Sequence, residues 1–236
     1  GTIRLLDPPL PDERIRVARA AYFGLCEYLD RQVGRVLDKI DDTGLAQDTL
    51  VIYASDHGEM AGEHGCWWKS NYYEGSVGVP LVARLPGVIP SGSTSDEICN
   101  LRGIGPTLAE MAGAPPLPHA DGHSLWQVLQ GRADDRRPGE TFSEHGPTRG
   151  ESPSRMIRRG RWKLYKYADD TPPVLFDLEA DPEELDDRAG DPALVDLRQR
   201  LLRALFEGWD PDFVRQDCER QAADMKLLSA WGAAVK

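Results

Sequence analysis

The run Thr49-Leu50-Val51-Ile52-Tyr53-Ala54 constrains the fold of this chain more than any other segment. It is β-branched and almost continuously apolar, so it offers no side to solvent and reads as a strand covered on both faces. Ahead of it, Ile15, Ala18, Tyr22, Leu25, Leu29, Val33, Val36 and Ile40 recur at steps of three or four. That spacing aligns them on one face of a long helix. Pro11 and Asp12 suit its start, and Gly44 lies where a helix stop belongs. A long helix leading into such a strand indicates an α/β sheet.

Beyond the strand the chain turns polar and glycine-rich, Ser55-Asp56-His57-Gly58-Glu59, then Gly62-Glu63-His64-Gly65 and Trp67-Trp68-Lys69. Ligands of open α/β sheets collect past the carboxyl ends of the strands, which makes this loop the best candidate site. Pro80 to Arg84 reads as a second strand, Thr94 to Cys99 as a third, and Pro106 to Met111 and Ser124 to Leu129 as short helices. Glycine, proline and charge crowd residues Gly131 to Gly150, where a junction is expected. Ser154 to Ile157, Trp162 to Tyr167 and Val174 to Asp177 then read as antiparallel strands, the first two joined at Arg159-Gly160, before a helix from Pro192 to Glu207. The expected organisation is an α/β portion over 1–135, a small α+β subdomain with an antiparallel sheet over 136–210, and a helical or extended tail over 211–236.

In 236 residues, 28 Lys and Arg face 39 Asp and Glu, a net charge of −11, which argues against a nucleic-acid partner. No apolar run approaches the ~20 residues that span a bilayer, and the amino terminus lacks a signal-peptide pattern, so no membrane partner is expected. The chain opens on Gly1 rather than Met, and an upstream segment is compatible with that. The four cysteines, Cys26, Cys66, Cys99 and Cys218, are too dispersed for a zinc ribbon or a disulfide scaffold.

Asp56 and His57 can bring a carboxylate oxygen and an imidazole nitrogen to one point above the sheet, a donor pair suited to Ca²⁺, Mn²⁺, Mg²⁺ or Zn²⁺. Two ligands leave the shell unfilled. The same pair equally serves as a turn cap beside a packed histidine. Lys69 can place a point charge on an oxyanion, with Trp67 and Trp68 shielding it from water, or it can be a solvated lysine beside a core tryptophan. His64 and Cys66 invite a Cys/His nucleophile, but no orienting group accompanies them; Cys66 reads as packing, and His64 as a loop residue or as support behind the site. The basic group Arg155, Arg158, Arg159, Arg161 and Lys163 is expected on a solvent-facing side of its hairpin. His119, His123 and His145 are isolated and read as structural.

In this order the residues resemble the type I sulfatases of the alkaline phosphatase superfamily. The resemblance is carried by Tyr28-Leu29-Asp30, Val33-Gly34-Arg35, Asp48-Thr49-Leu50, Ser55-Asp56-His57-Gly58-Glu59, Gly62-Glu63-His64-Gly65 and Trp68-Lys69. It continues through Tyr73-Glu74, Val79-Pro80-Leu81, Pro106-Thr107-Leu108, Arg161-Trp162-Lys163, Phe176-Asp177-Leu178 and Asp181-Pro182-Glu183-Glu184, an ordered match from about residue 18 to 208. It implies part of an alkaline-phosphatase-like sheet with flanking helices, followed by the α+β subdomain. It implies that Asp56 and His57 are metal ligands, Lys69 a sulfate-binding catalytic residue and His64 at most an accessory one. The cofactor implied is a divalent metal, calcium foremost with manganese or magnesium as alternatives. The His after Asp56, the Trp-Trp-Lys loop and the tail from Trp209 look closest to choline sulfatases, and the His also to phosphonate monoester hydrolases.

Two departures matter. Gly103 stands where many relatives carry an Asp that caps the next helix. The formylglycine signature, whose hydrate attacks sulfur, belongs to the amino-terminal half of the family. The nearest text here, Glu151-Ser152-Pro153-Ser154-Arg155, has Glu at the nucleophile position, on the wrong side of Asp56, and reads as coincidence. The expectation is the carboxy-terminal portion of a sulfatase acting on a small-molecule sulfate ester, inactive without an amino-terminal half that supplies the formylglycine and the other ligands. The competing readings are a phosphonate or phosphate ester hydrolase of the same superfamily and a noncatalytic binding or assembly domain. Homo-oligomerisation stays open, as does a bacterial cytoplasmic or periplasmic location.

Overall fold

The computed structural model describes residues 10–147 and 152–234, which form two compact units dividing after Gly139. The first unit contains α1 (Asp12–Asp42), β1 (Val51–Ala54), β2 (Met60–Ala61), β3 (Trp67–Trp68), α2 (Glu74–Val77), β4 (Leu81–Arg84), α3 (Ile104–Met111) and α4 (Trp126–Leu129). The second contains β5 (Glu140–His145), β6 (Ser154–Arg159), β7 (Trp162–Tyr167), β8 (Val174–Asp177), α5 (Val195–Phe206) and α6 (Pro211–Ala234).

Helix α1 begins and ends where its signals place it: Asp12 and Glu13 favour the positive end of the dipole, and Thr43 closes the helix before Gly44, whose φ is +72°. Its apolar face, however, is only partly covered by the described residues, which half-bury Ile15, Ala18, Val33 and Ile40. No residue of α1 is fully buried, and Leu25 and Tyr28 are 67% and 64% exposed. Among the described residues β1 likewise pairs antiparallel with β4 alone, Val51 opposite Arg84 and Ala54 opposite Leu81. Tyr53 and Val82 face outward. The sequence pattern correctly marks an apolar helix face and a strand, but burial on both strand faces is not found among these residues. Thr94 to Cys99 forms no strand either.

Gly103 needs its lack of a side chain, because a Cβ there would stand 2.6 Å from the His123 carbonyl oxygen. No side chain caps α3 at Gly103; Asn100 instead caps the tight turn Leu101–Gly103 that leads into it, its Oδ1 accepting from the Arg102 amide at 3.1 Å. Thr107 then ties the start of α3 to the following loop, donating to the Gly103 carbonyl and accepting from the Leu125 amide.

In the second unit β5-β6-β7-β8 form a four-stranded antiparallel sheet. Alternation sends Ile157, Leu164 and Leu175 to one face, where Leu201 and Leu205 of α5 meet them with Ala189 and Trp209. Each fully buried leucine-sized side chain contributes about 1.5–3 kcal/mol. β5 lies in the stretch read from sequence only as a junction; its polar composition hides it, and its pairing with β6 defines it. Ser154, the resemblance to a nucleophile signature notwithstanding, is buried in β6, and Glu151 lies outside the described residues.

Of the basic group, Arg159 and Arg161 keep to the expected solvent-facing side, 44% and 38% exposed, while Lys163 and Arg155 depart from it. Lys163 is completely buried and ion-paired with Glu184, which the Asp181–Glu184 turn carries over the sheet face opposite α5 at a φ of +57°. Arg155 lies 4.2 Å over the Phe142 ring and donates to the Leu205 carbonyl at 2.7 Å, satisfying the carboxyl end of α5. Because both faces of the sheet are covered, alternation alone misassigns these cations.

Arg161 grips Asp177 with two hydrogen bonds of 2.6 Å, and this holds the Asp177 carboxyl below the usual carboxylate range. A carboxyl lowered in the folded chain binds fewer protons than the unfolded one, so its stabilisation is present above about pH 4 and is lost as the pH falls. Urea unfolding between about pH 6 and pH 2.5 is expected to show a steeper acid-side loss in the native chain than in Arg161→Gln. Parallel curves would contradict this.

Candidate functional site

The strand end at Ala54 releases Ser55-Asp56-His57-Gly58, and the short β2-β3 hairpin returns the chain to the same place. Its register pairs Met60 with Trp68 and Ala61 with Trp67. Lys69, the first residue past β3, is therefore carried back beside the segment preceding β2. The hairpin tip needs Gly62 at φ +103° and Gly65 at φ +67°. Arg19 of α1 anchors the hairpin, donating to the Ala61 carbonyl at 2.8 Å and pairing with Glu63 at 2.9 Å.

At the centre of the site His57 Nδ1 lies 2.8 Å from the Gly58 carbonyl oxygen. A carbonyl only accepts, so the network assigns the proton to Nδ1 and leaves a lone pair on Nε2. Lys69 Nζ stands 2.6 Å from that Nε2, and Asp56 Oδ2 lies 3.4 Å from the same atom. Two electron-rich atoms converge beside an ammonium group. The Ser55 hydroxyl donates to the His57 carbonyl at 2.8 Å and holds the turn. Asp56 is largely exposed and His57 about one-third exposed, so the pair opens outward.

The chain thus brings together three of the four residues singled out from sequence: Asp56, His57 and Lys69. His64, at φ +51°, instead stacks on Tyr73 with ring centroids 3.8 Å apart and planes 2° from parallel. Tyr73 carries no sequence signal of this role, because the stack exists only once the hairpin tip and the 70–74 segment meet. The Cys/His nucleophile fails on geometry: Cys66 is buried, its Sγ faces the His64 backbone oxygen at 3.5 Å, and burial pushes its thiol pKa up. The expected shielding of Lys69 by both tryptophans is not found, since Trp68, at φ +70°, is 60% exposed. With His64, Trp68 and Ser70 all at positive φ, this loop holds backbone strain of about 1–3 kcal/mol per residue, as functional loops often do.

Donor chemistry is the test of whether these residues suit a divalent cation. An imidazole oriented through its other nitrogen by a carbonyl, beside a carboxylate, is a donor pair that fits. Among the described residues no group of three or more His, Cys, Asp or Glu side chains completes a shell.

Residues 7–114 match the sulfatase family, and residues 62–209 match the N-sulphoglucosamine sulphohydrolase C-terminal family. The chain belongs to the sulfatase family. It is 40% identical over 184 residues to a choline-sulfatase of Rhizobium meliloti (strain 1021), covering 77% of this chain and 35% of that protein. It is 34% identical over 202 residues to an arylsulfatase K of Gallus gallus, covering 82% of this chain and 38% of that one. In three dimensions it resembles the phosphonate monoester hydrolase SpPMH from Silicibacter pomeroyi, with a TM-score of 0.77, 31% identity, 85% of this chain and 43% of that chain. The mixed α/β architecture with flanking helices is shared with a 2-O GAG sulfatase, BT1596, at a TM-score of 0.78 and 25% identity over 88% of this chain and 46% of that chain, and the chain spans under half the length of all these relatives.

Gly58 fixes the geometry. Its amide donates to the Ser76 carbonyl at 2.8 Å, and a Cβ on it would lie 2.2 Å from the Gly75 oxygen, which is backbone and cannot swing aside. Gly58→Ala is expected to cost about 1–3 kcal/mol by overpacking and to separate His57 from Lys69. Gly34→Ala, in an open stretch of α1 with nothing within 4 Å, is expected to be neutral or stabilising by up to about 1 kcal/mol. Denaturant midpoints and imidazole NMR shifts of the two variants check the contrast. Equal behaviour would refute it.

Proposed function

We propose that Asp56, His57 and Lys69 supply part of the catalytic site of a sulfatase that hydrolyses small-molecule sulfate esters. The observation that carries this reading is the convergence of a lysine ammonium, a bare imidazole nitrogen and a carboxylate, at 2.6 and 3.4 Å. Asp56 and His57 would hold a divalent cation, calcium foremost and manganese or magnesium as alternatives. Such a cation, when bound, neutralises sulfate oxygens and aligns them for attack.

The roles of the chain's own groups follow from the geometry. The Gly58 carbonyl accepts a hydrogen bond from His57 Nδ1–H and keeps Nε2 directed as an electron-pair donor. Asp56 presents its carboxylate beside it, where it offsets positive charge. Lys69 directs N–H donors at a sulfate oxygen or at the leaving oxygen, where negative charge grows in the transition state. His64 acts through the Tyr73 stack as an accessory that shapes the Lys69 loop. Formylglycine, the nucleophile of the resembled family, and the remaining cation ligands are assigned to polypeptide outside these 236 residues. The exposed part of the apolar face of α1, with Tyr22, Leu25, Leu29 and Val36, suits that polypeptide as its cover. Residues 1–236 alone are expected not to turn over.

A second reading has a specific observation in its favour: the resemblance at 31% identity to a phosphonate monoester hydrolase. The metal and lysine chemistry serves either ester. In the full-length enzyme, kcat/KM on paired aryl sulfate and aryl phosphonate esters separates the two. The sulfatase reading expects preference for the sulfate ester and a loss of about 10²-fold or more on that substrate in Lys69→Ala with the fold retained. Native kinetics in that variant would remove Lys69 from the site, and preference for the phosphonate would favour the second reading.

A further inference from the structure

The lone pair of His57 Nε2 has two claimants. Lys69 Nζ holds it at 2.6 Å, and it is the same lone pair that a divalent cation bound by His57 and Asp56 would take. One lone pair serves one partner at a time, and a cation and an ammonium cannot both sit within bonding distance of it. We propose that Lys69 and the divalent cation compete for His57 Nε2, so that cation binding releases the Lys69 ammonium to the sulfate. The inference rests on the reading of Asp56 and His57 as cation ligands.

The surroundings fit an exchange confined to one side chain. His57 cannot evade the competition by turning its ring, because Nδ1 is held by the Gly58 carbonyl at 2.8 Å, and Gly58 is itself docked on Ser76. The backbone on either side of Lys69 is fixed in the left-handed region, Trp68 at φ +70° and Ser70 at φ +77°. Lys69 is exposed, and its four-carbon stem has room to swing. Its ammonium carries three N–H donors; the one spent on His57 is recovered when the cation arrives, at the moment when a bound sulfate offers acceptors. Cation and sulfate binding are then coupled, and by linkage each strengthens the other. A sulfate arriving first would meet an ammonium still tied to the imidazole.

Calorimetric titration of calcium into the full-length enzyme tests this through a double-mutant cycle of Lys69→Met, His57→Gln and the double variant. A hydrogen bond to a charged group shifts an equilibrium by about tenfold or more, so Lys69→Met is expected to tighten calcium binding by about that factor. In the His57→Gln background the gain is expected to vanish, since the contested lone pair is gone. A gain of equal size in both backgrounds is simple charge repulsion and overturns the competition while leaving the cation site intact. Calcium binding undiminished by Asp56→Ala overturns the cation reading and the competition with it. Lys69→Gln is the second truncation should Lys69→Met fail to fold.

Discussion

The candidate site depends on one hydrogen bond, from His57 Nδ1 to the carbonyl of the next residue, Gly58. It decides which imidazole nitrogen carries the proton, and so which one faces Lys69 and Asp56. The bond is available only because Gly58 has no side chain: its amide reaches Ser76 and its α-carbon lies under the Gly75 carbonyl, closer than any Cβ allows. Met60 packs beneath the same segment, its Sδ 2.7 Å from where a Gly75 Cβ would stand. A glycine contact, a tautomer and a lone pair thus form one chain of causes from sequence to chemistry.

Strain and packing share the task of holding the lysine opposite that lone pair. The β2-β3 hairpin is short, and residues at positive φ turn it back sharply enough to close the separation between His57 and Lys69. Arg19 fastens it to α1, and the His64–Tyr73 stack fastens its tip to the segment that follows Lys69. An ordinary strand pairing would place Trp68 on the face of its partner Met60, which is buried; the positive φ at Trp68 leaves the indole exposed.

Much of this was legible in the residues. The period of α1, its proline start and its glycine stop determine its extent almost to the residue, and the three hairpin strands of the second unit announce themselves by alternation and by the Arg159-Gly160 turn. Asp56, His57 and Lys69 were legible as a set through the ordered resemblance, because each alone has an unremarkable alternative. What was not legible depends on partners distant in sequence. Periodicity marks the α1 face as apolar but does not say what covers it. β5 is too polar to signal a strand until β6 pairs with it. Lys163 looks like a surface cation until the Glu184 turn covers that side of the sheet. The Tyr73 stack requires the hairpin tip to be in place first.

Everything proposed for the site turns on Asp56 and His57 holding a cation at the point Lys69 faces. Anomalous scattering from crystals of the full-length enzyme loaded with manganese tests it most directly. The expected result is a peak at about 2.0–2.6 Å from both the Asp56 carboxylate and His57 Nε2. A peak that touches neither residue, with Lys69 still against His57 Nε2, would contradict it.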